Sequence, residues 1–133
     1  MLVEKPFTAT TQEAIMLFEE AQKNKCKWVP FQNRRFDSDF LSVKKVVNSG
    51  VLGDLIEIHF RYDRYNIAIS DNKVKESVAP ASGVLYNLGP HVIDAAIDLF
   101  GLPDKWSKVK NKIRPHTEID DFGFFHLQYK NGL

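Results

Sequence analysis

The stretch 119–129 constrains this 133-residue chain more than any other segment. Extended, it places Phe125, Leu127 and Tyr129 on one face and Phe122, Phe124, His126 and Gln128 on the other. Both faces carry aromatic rings, so both need cover, and a lone solvent-facing layer is excluded. Asn131-Gly132, the strongest two-residue hairpin signal, follows directly, and only Leu133 comes after it. The pattern predicts a turn whose second strand lies beyond the sequence. Residues 106–113 are β-like as well, Val109 and Ile113 alternating with Lys108, Lys110 and Lys112.

The preceding residues switch between helical and extended patterns. Thr10 with Glu13 is a capping box, and Ala14, Leu17, Phe18 and Ala21 form an apolar stripe, which predicts a helix over 11–24. Trp28-Val29-Pro30-Phe31 reads as a short buried strand with limited pairing at Pro30. Asp37 is placed to cap a second helix over 38–49, with Gly50 just past its end. Residues 54–63 give the clearest strand, Ile56, Ile58, Phe60 and Tyr62 alternating with Glu57, His59, Arg61 and Asp63. Residues 64–82 show no period and read as a long loop, the kind that carries function. A helix then runs to Phe100, stopped by Gly101-Leu102-Pro103.

Composition narrows the function classes. Hydrophobic residues make up 44% and charged residues 26%, which excludes a disordered chain. A net charge of +1 gives no bulk attraction to nucleic acid or anionic membrane, and no such partner is expected. No apolar run approaches the ~18 residues of a membrane span. Cys26 is the sole cysteine, so there is no intrachain disulfide, and a cytoplasmic location is expected.

Three constellations could carry chemistry. Glu4-Lys5-Pro6 could fix a lysine as proton donor or electrophile, although a turn with two solvated charges is the simpler reading of the spacing. Asn87, His91 and Asp94 are spaced to share one face of a helix, with Pro90 either starting or kinking it. There His91 could act as general acid and base, or could be a satisfied polar residue beside a capping Asn87. Asn33-Arg34-Arg35 could hold an anion or form structural ion pairs. No histidine pair has metal-ligand spacing, so no metal site is expected.

In series, VEKPF, PFQNRRFDSDF, SGVLGDL, SGVLYNLGPHVIDAAIDLFG and EIDDFGFFHLQYKNG resemble the NAD(P)-dependent sugar and polyol oxidoreductases that include glucose-fructose oxidoreductase and inositol 2-dehydrogenase. The resemblance implies an α+β chain. Residues 1–35 would be the last helix and strand of a Rossmann domain. Residues 36–133 would be an incomplete catalytic and oligomerisation domain with packed helices and a mostly antiparallel sheet. The glycine fingerprint of such proteins lies upstream of the EKP motif, so the chain reads as truncated, lacking the phosphate-binding unit and expected to bind NAD or NADP poorly by itself.

By the same resemblance, Lys5, His91 and Asn87 are the catalytic candidates. Glu4, Lys5 and Pro6 meet the cofactor, and Asn87, His91 and Arg34 meet a small-molecule substrate. The family commonly has Asp where Asn87 stands, and Asn cannot supply charge. Asp94 is expected to give structural support. The implied function is hydride transfer between NAD(P) and a hydroxyl-bearing carbon of a sugar, polyol or related molecule. The alternative is a non-catalytic, dinucleotide-sensing regulator on the same scaffold. A homodimer or higher homo-oligomer through the open sheet face is the expected assembly.

Overall fold

Thr10 starts the first helix as the sequence requires. The computed structural model describes residues 1–69 and 76–133. Thr10 has extended backbone, its hydroxyl accepts from the Glu13 amide at 3.2 Å, and the Glu13 carboxylate accepts from the Thr10 and Ala9 amides. Helix α1 (Thr11–Lys23) follows and crosses between strands β1 (Leu2–Glu4) and β2 (Val29–Phe31). The strands pair in parallel, Leu2 opposite Val29 and Glu4 opposite Phe31, which completes a βαβ unit. Trp28 holds its underside, meeting Phe7 and Phe18 edge-on with centroids 4.9 and 4.6 Å away. The expectation of a buried second strand does not hold: Val29 is 50% exposed and Pro30 is exposed, only Phe31 being half-buried, because among the described residues the sheet has only two strands.

A single 3₁₀ turn (Asn33–Phe36) leads into α2 (Ser38–Asn48). Asp37 stands at the helix start without capping it through its side chain. Its carboxylate instead binds Arg34 Nη1 at 2.8 Å, a charge-assisted bond that outcompetes a backbone amide. Gly50 takes φ +73° after the helix.

The expected strand over 54–63 is absent as a ladder. Its alternation survives only in part: Ile58 and Phe60 are half-buried and Glu57 and His59 exposed, but Ile56 and Tyr62 are exposed too, and among the described residues the segment pairs with no strand. Of the expected long loop, residues 70–75 lie outside the described residues. Its described ends are tied to the sheet by Arg114, which donates to the Ala68 carbonyl and to both Glu76 carboxylate oxygens while its Nε binds Asp121.

The third helical region is two helices, α3 (Val84–Asn87) and α4 (Gly89–Phe100), broken at Leu88. Pro90 sits in the first turn of α4, where its missing N–H is harmless. Asp120 anchors the start of α3: its carbonyl accepts from Val84 N and its carboxylate from Leu85 N. Strands β3 (Lys105–Asn111) and β4 (Phe122–Gln128) pair antiparallel, with Trp106 opposite Leu127 and Val109 opposite Phe124. Phe125, Leu127 and Tyr129 turn inward and Phe122, Phe124 and His126 outward, as the alternation demands. The Asn131-Gly132 turn forms, with Tyr129 N donating to the Leu133 carbonyl at 3.0 Å. Among the described residues no helix is long and apolar enough to cross a membrane.

Helix α3 rests on β4 at Gly123. A Cβ there would lie 2.1 Å from Leu85 Cδ2. Gly123→Ala is therefore expected to destabilise the fold by about 1–3 kcal/mol, read as a lower urea midpoint. Adding Leu85→Ala should cost less than the two single effects combined.

Candidate active site

The carboxyl ends of β1 and β2 define the site, the place where open α/β sheets hold their ligands. Lys5 follows β1 directly, and the Lys5–Pro6 peptide bond is cis. Lys5 Nζ donates to the Asn87 main-chain carbonyl at the end of α3. Nearby, the Tyr86 hydroxyl donates to the Ala9 carbonyl at 2.8 Å. Two bonds thus tie α3 to the segment between β1 and α1. Glu4 and Pro6 flank Lys5 and are exposed.

Past the end of β2, Gln32 reaches α4. Its Nε2 donates to the Pro90 carbonyl at 3.0 Å, and its Oε1 lies 2.8 Å from His91 Nδ1. His91 occupies the first turn of α4 and is only 8% exposed. Burial pushes its pKa below the ordinary 6.5, and the positive charges of Lys5 and then Arg34 push it further down, against smaller opposing effects of Asp37 and Asp94. The ring therefore stays neutral at physiological pH.

His91 lines a cleft of about 260 Å³, together with Arg34, Phe40, Tyr62 and Asp94. Arg34 is held there by Asp37, and its guanidinium carbon lies 5.9 Å from the Tyr62 ring centre. Arg35 forms a bidentate pair with Asp94, 2.8 and 2.7 Å, and Lys44 binds Asp98 at 2.6 Å. Asp94 thus serves packing, joining the 3₁₀ turn to α4.

The structure brings Lys5, Asn87 and His91 into one region by a route the spacing did not suggest. Asn87 and His91 do not share a continuous helix, because the break at Leu88 separates them. Asn87 contributes its backbone carbonyl, to Lys5, while His91 Nδ1 is engaged by Gln32. Sequence reasoning passed over Gln32. The signal for it was position: it is the first polar side chain beyond the carboxyl end of β2, beside the expected ligand region.

A family model described as the GFO/IDH/MocA C-terminal domain matches residues 40–133. An oxidoreductase of Schizosaccharomyces pombe, C115.03, is 37% identical over 131 residues, which is 97% of this chain and 36% of that protein. The scyllo-inositol 2-dehydrogenase (NADP(+)) IolW of Bacillus subtilis is 33% identical over 99% of this chain and 36% of its own length. The crystal structure of the probable oxidoreductase YhhX superimposes with a TM-score of 0.86 at 38% identity, covering 98% of this chain and 37% of that one. The chain spans about a third of the length of these relatives. It has the α+β architecture of an oxidoreductase C-terminal domain. It belongs to the GFO/IDH/MocA family.

The depressed pKa of His91 has a thermodynamic consequence. As pH falls through 6.5 the unfolded chain takes up the proton before the folded one does. Stability should therefore fall between pH 6.5 and the lower folded midpoint, and be unaffected by His91 above 6.5. A side-chain NMR titration should place the midpoint below 6.5, and His91→Gln should flatten this part of the stability profile in urea denaturation at stepped pH.

Proposed function

We propose that the protein carrying this chain transfers hydride between NAD or NADP and a hydroxyl-bearing carbon of a sugar, polyol or related small molecule. The observation that carries the reading is His91: buried, neutral, in a cleft, and within reach of the Lys5 charge. A neutral imidazole can take the proton of a hydroxyl as its carbon is oxidised. The Lys5 ammonium, fixed by the Asn87 carbonyl, can hold the same oxygen and stabilise developing negative charge. Arg34 and Tyr62 offer the substrate a cationic and an aromatic wall. The polyol class and the nicotinamide gain support from the inositol dehydrogenase relative.

Lys5, at the carboxyl end of the parallel pair, suits the nicotinamide end of a dinucleotide. Residues 1–133 contain no Gly-x-Gly-x-x-Gly loop, so they do not supply the pyrophosphate cradle. When bound, the nicotinamide supplies the hydride acceptor. In this reading residues 1–35 are the dinucleotide-domain part and 36–133 the catalytic part, in a cytoplasmic enzyme. The sheet face bearing Val109, Phe122 and Phe124 is the proposed self-association surface, since all three are exposed and adjacent.

In the full-length protein, Lys5→Ala and His91→Ala should each lower kcat/KM for NAD(P)-linked oxidation by about 10²–10⁴-fold, the range for loss of a general acid–base group. Unchanged turnover in both variants would refute the assignment. The neutral Asn87 favours a second reading, a dinucleotide sensor, and tight NAD(P) binding without turnover across a polyol panel would select it.

A further inference from the structure

Gln32 controls which nitrogen of His91 carries the proton. The Pro90 carbonyl has no hydrogen to give, so the side-chain group of Gln32 facing it at 3.0 Å must be the NH₂. That fixes the amide orientation and leaves the Gln32 carbonyl oxygen against His91 Nδ1 at 2.8 Å. An unprotonated Nδ1 would set two acceptors against each other in a buried place, so Nδ1 carries the hydrogen. In a neutral ring the lone pair then lies on Nε2.

We propose that Gln32 is a positioning residue for His91: pinned by the Pro90 carbonyl, it holds the neutral imidazole in the Nδ1–H tautomer and makes Nε2 the proton acceptor. The tautomer assignment stands on geometry alone. Its catalytic value rests on the hydride-transfer reading above. The charged groups around the ring are Lys5 after β1, Arg34 of the 3₁₀ turn, Asp37 between that turn and α2, and Asp94 of α4, with the Tyr62 ring centre 6.5 Å away. Gln32, which carries no charge, is the residue bonded to Nδ1. It can fix the tautomer without drawing the ring toward the imidazolium, which a carboxylate in its place would do.

The test is long-range ¹H–¹⁵N correlation spectroscopy of the full-length protein labelled at histidine, at a pH where His91 is neutral. The expected spectrum shows a protonated Nδ1 and an unprotonated Nε2. Gln32→Leu should move the population toward Nε2–H and lower kcat on the order of 10²-fold with little change in dinucleotide KM. Gln32→Glu retains an acceptor, so it should keep Nδ1–H, raise the titration midpoint of His91, and move the acid limb of the pH–rate profile upward. A wild-type ring with its proton on Nε2, or a folded Gln32→Leu protein with an unaltered tautomer, overturns the proposal. Should Gln32→Leu not fold, an unmoved His91 midpoint in Gln32→Glu overturns it equally. Nδ1–H in a wild-type protein that turns over no substrate supports the tautomer assignment and counts only against the hydride-transfer reading.

Discussion

A polar seam between the βαβ unit and the paired helices α3 and α4 determines everything else about the site. It consists of Lys5 on the Asn87 carbonyl, Tyr86 on the Ala9 carbonyl, and the Gln32 amide between Pro90 and His91. These bonds join residues 58 to 82 positions apart. Each is worth only about 1 kcal/mol net, yet a buried partner left unsatisfied costs more than that, so the seam specifies geometry more than it adds stability. Neither side holds a site without the other. β1 presents an ammonium and α4 an imidazole, and only the seam puts them in electrostatic contact.

Packing around the seam is thin. Among the described residues, Ala96 and Ile119 are the buried hydrophobics and no side chain is fully enclosed. The accessible surface is 10290 Å², whereas a folded monomer of this mass exposes about 7,100 Å². The surplus is roughly 3,000 Å². It includes the outward face of β3 and β4 and the apolar sides of α1 and α2, where Leu17, Phe18, Leu41 and Val46 stay more than 40% exposed. Individual devices hold the elements in its place: the Thr10 capping box, the Trp28 aromatic triad, the Arg114 rivet and the Arg35–Asp94 fork. Only the capping box is wholly local; the Arg35–Asp94 fork joins residues 59 positions apart, and Arg114 reaches 38 and 46 positions to Glu76 and Ala68.

That division sets what a sequence can reveal. Helices α1 and α2 were legible because their signals are local: a capping box, an apolar stripe, a glycine at positive φ. So was β4, whose alternation turns Phe125 and Leu127 inward as written. The segment 54–63 alternates just as clearly, but a strand is made by its neighbour's hydrogen bonds, and periodicity says nothing about whether a neighbour is there. Asp37 had the right identity and place for a cap, and lost that role to a guanidinium one turn away. Lys5 and His91 could be singled out through the family resemblance. Gln32 was marked only by its position past β2; its role lies in a contact 59 residues distant with a ring whose orientation no linear pattern encodes.

The charges around His91 are unbalanced in a way that suits the proposed chemistry. Asp37 and Asp94 are its acidic neighbours, yet each is already bound to an arginine, Arg34 and Arg35 respectively. Their influence on the ring is correspondingly smaller than that of Lys5 and Arg34. At the imidazole itself the balance of these charges is positive. Such a field disfavours an imidazolium and favours an oxyanion, so it keeps the base ready while stabilising the alkoxide character that a hydroxyl acquires as it loses its proton. With Asn87 contributing a carbonyl and Gln32 a neutral amide, orientation and charge are handled by different residues, and the base is aimed without being neutralised as a base.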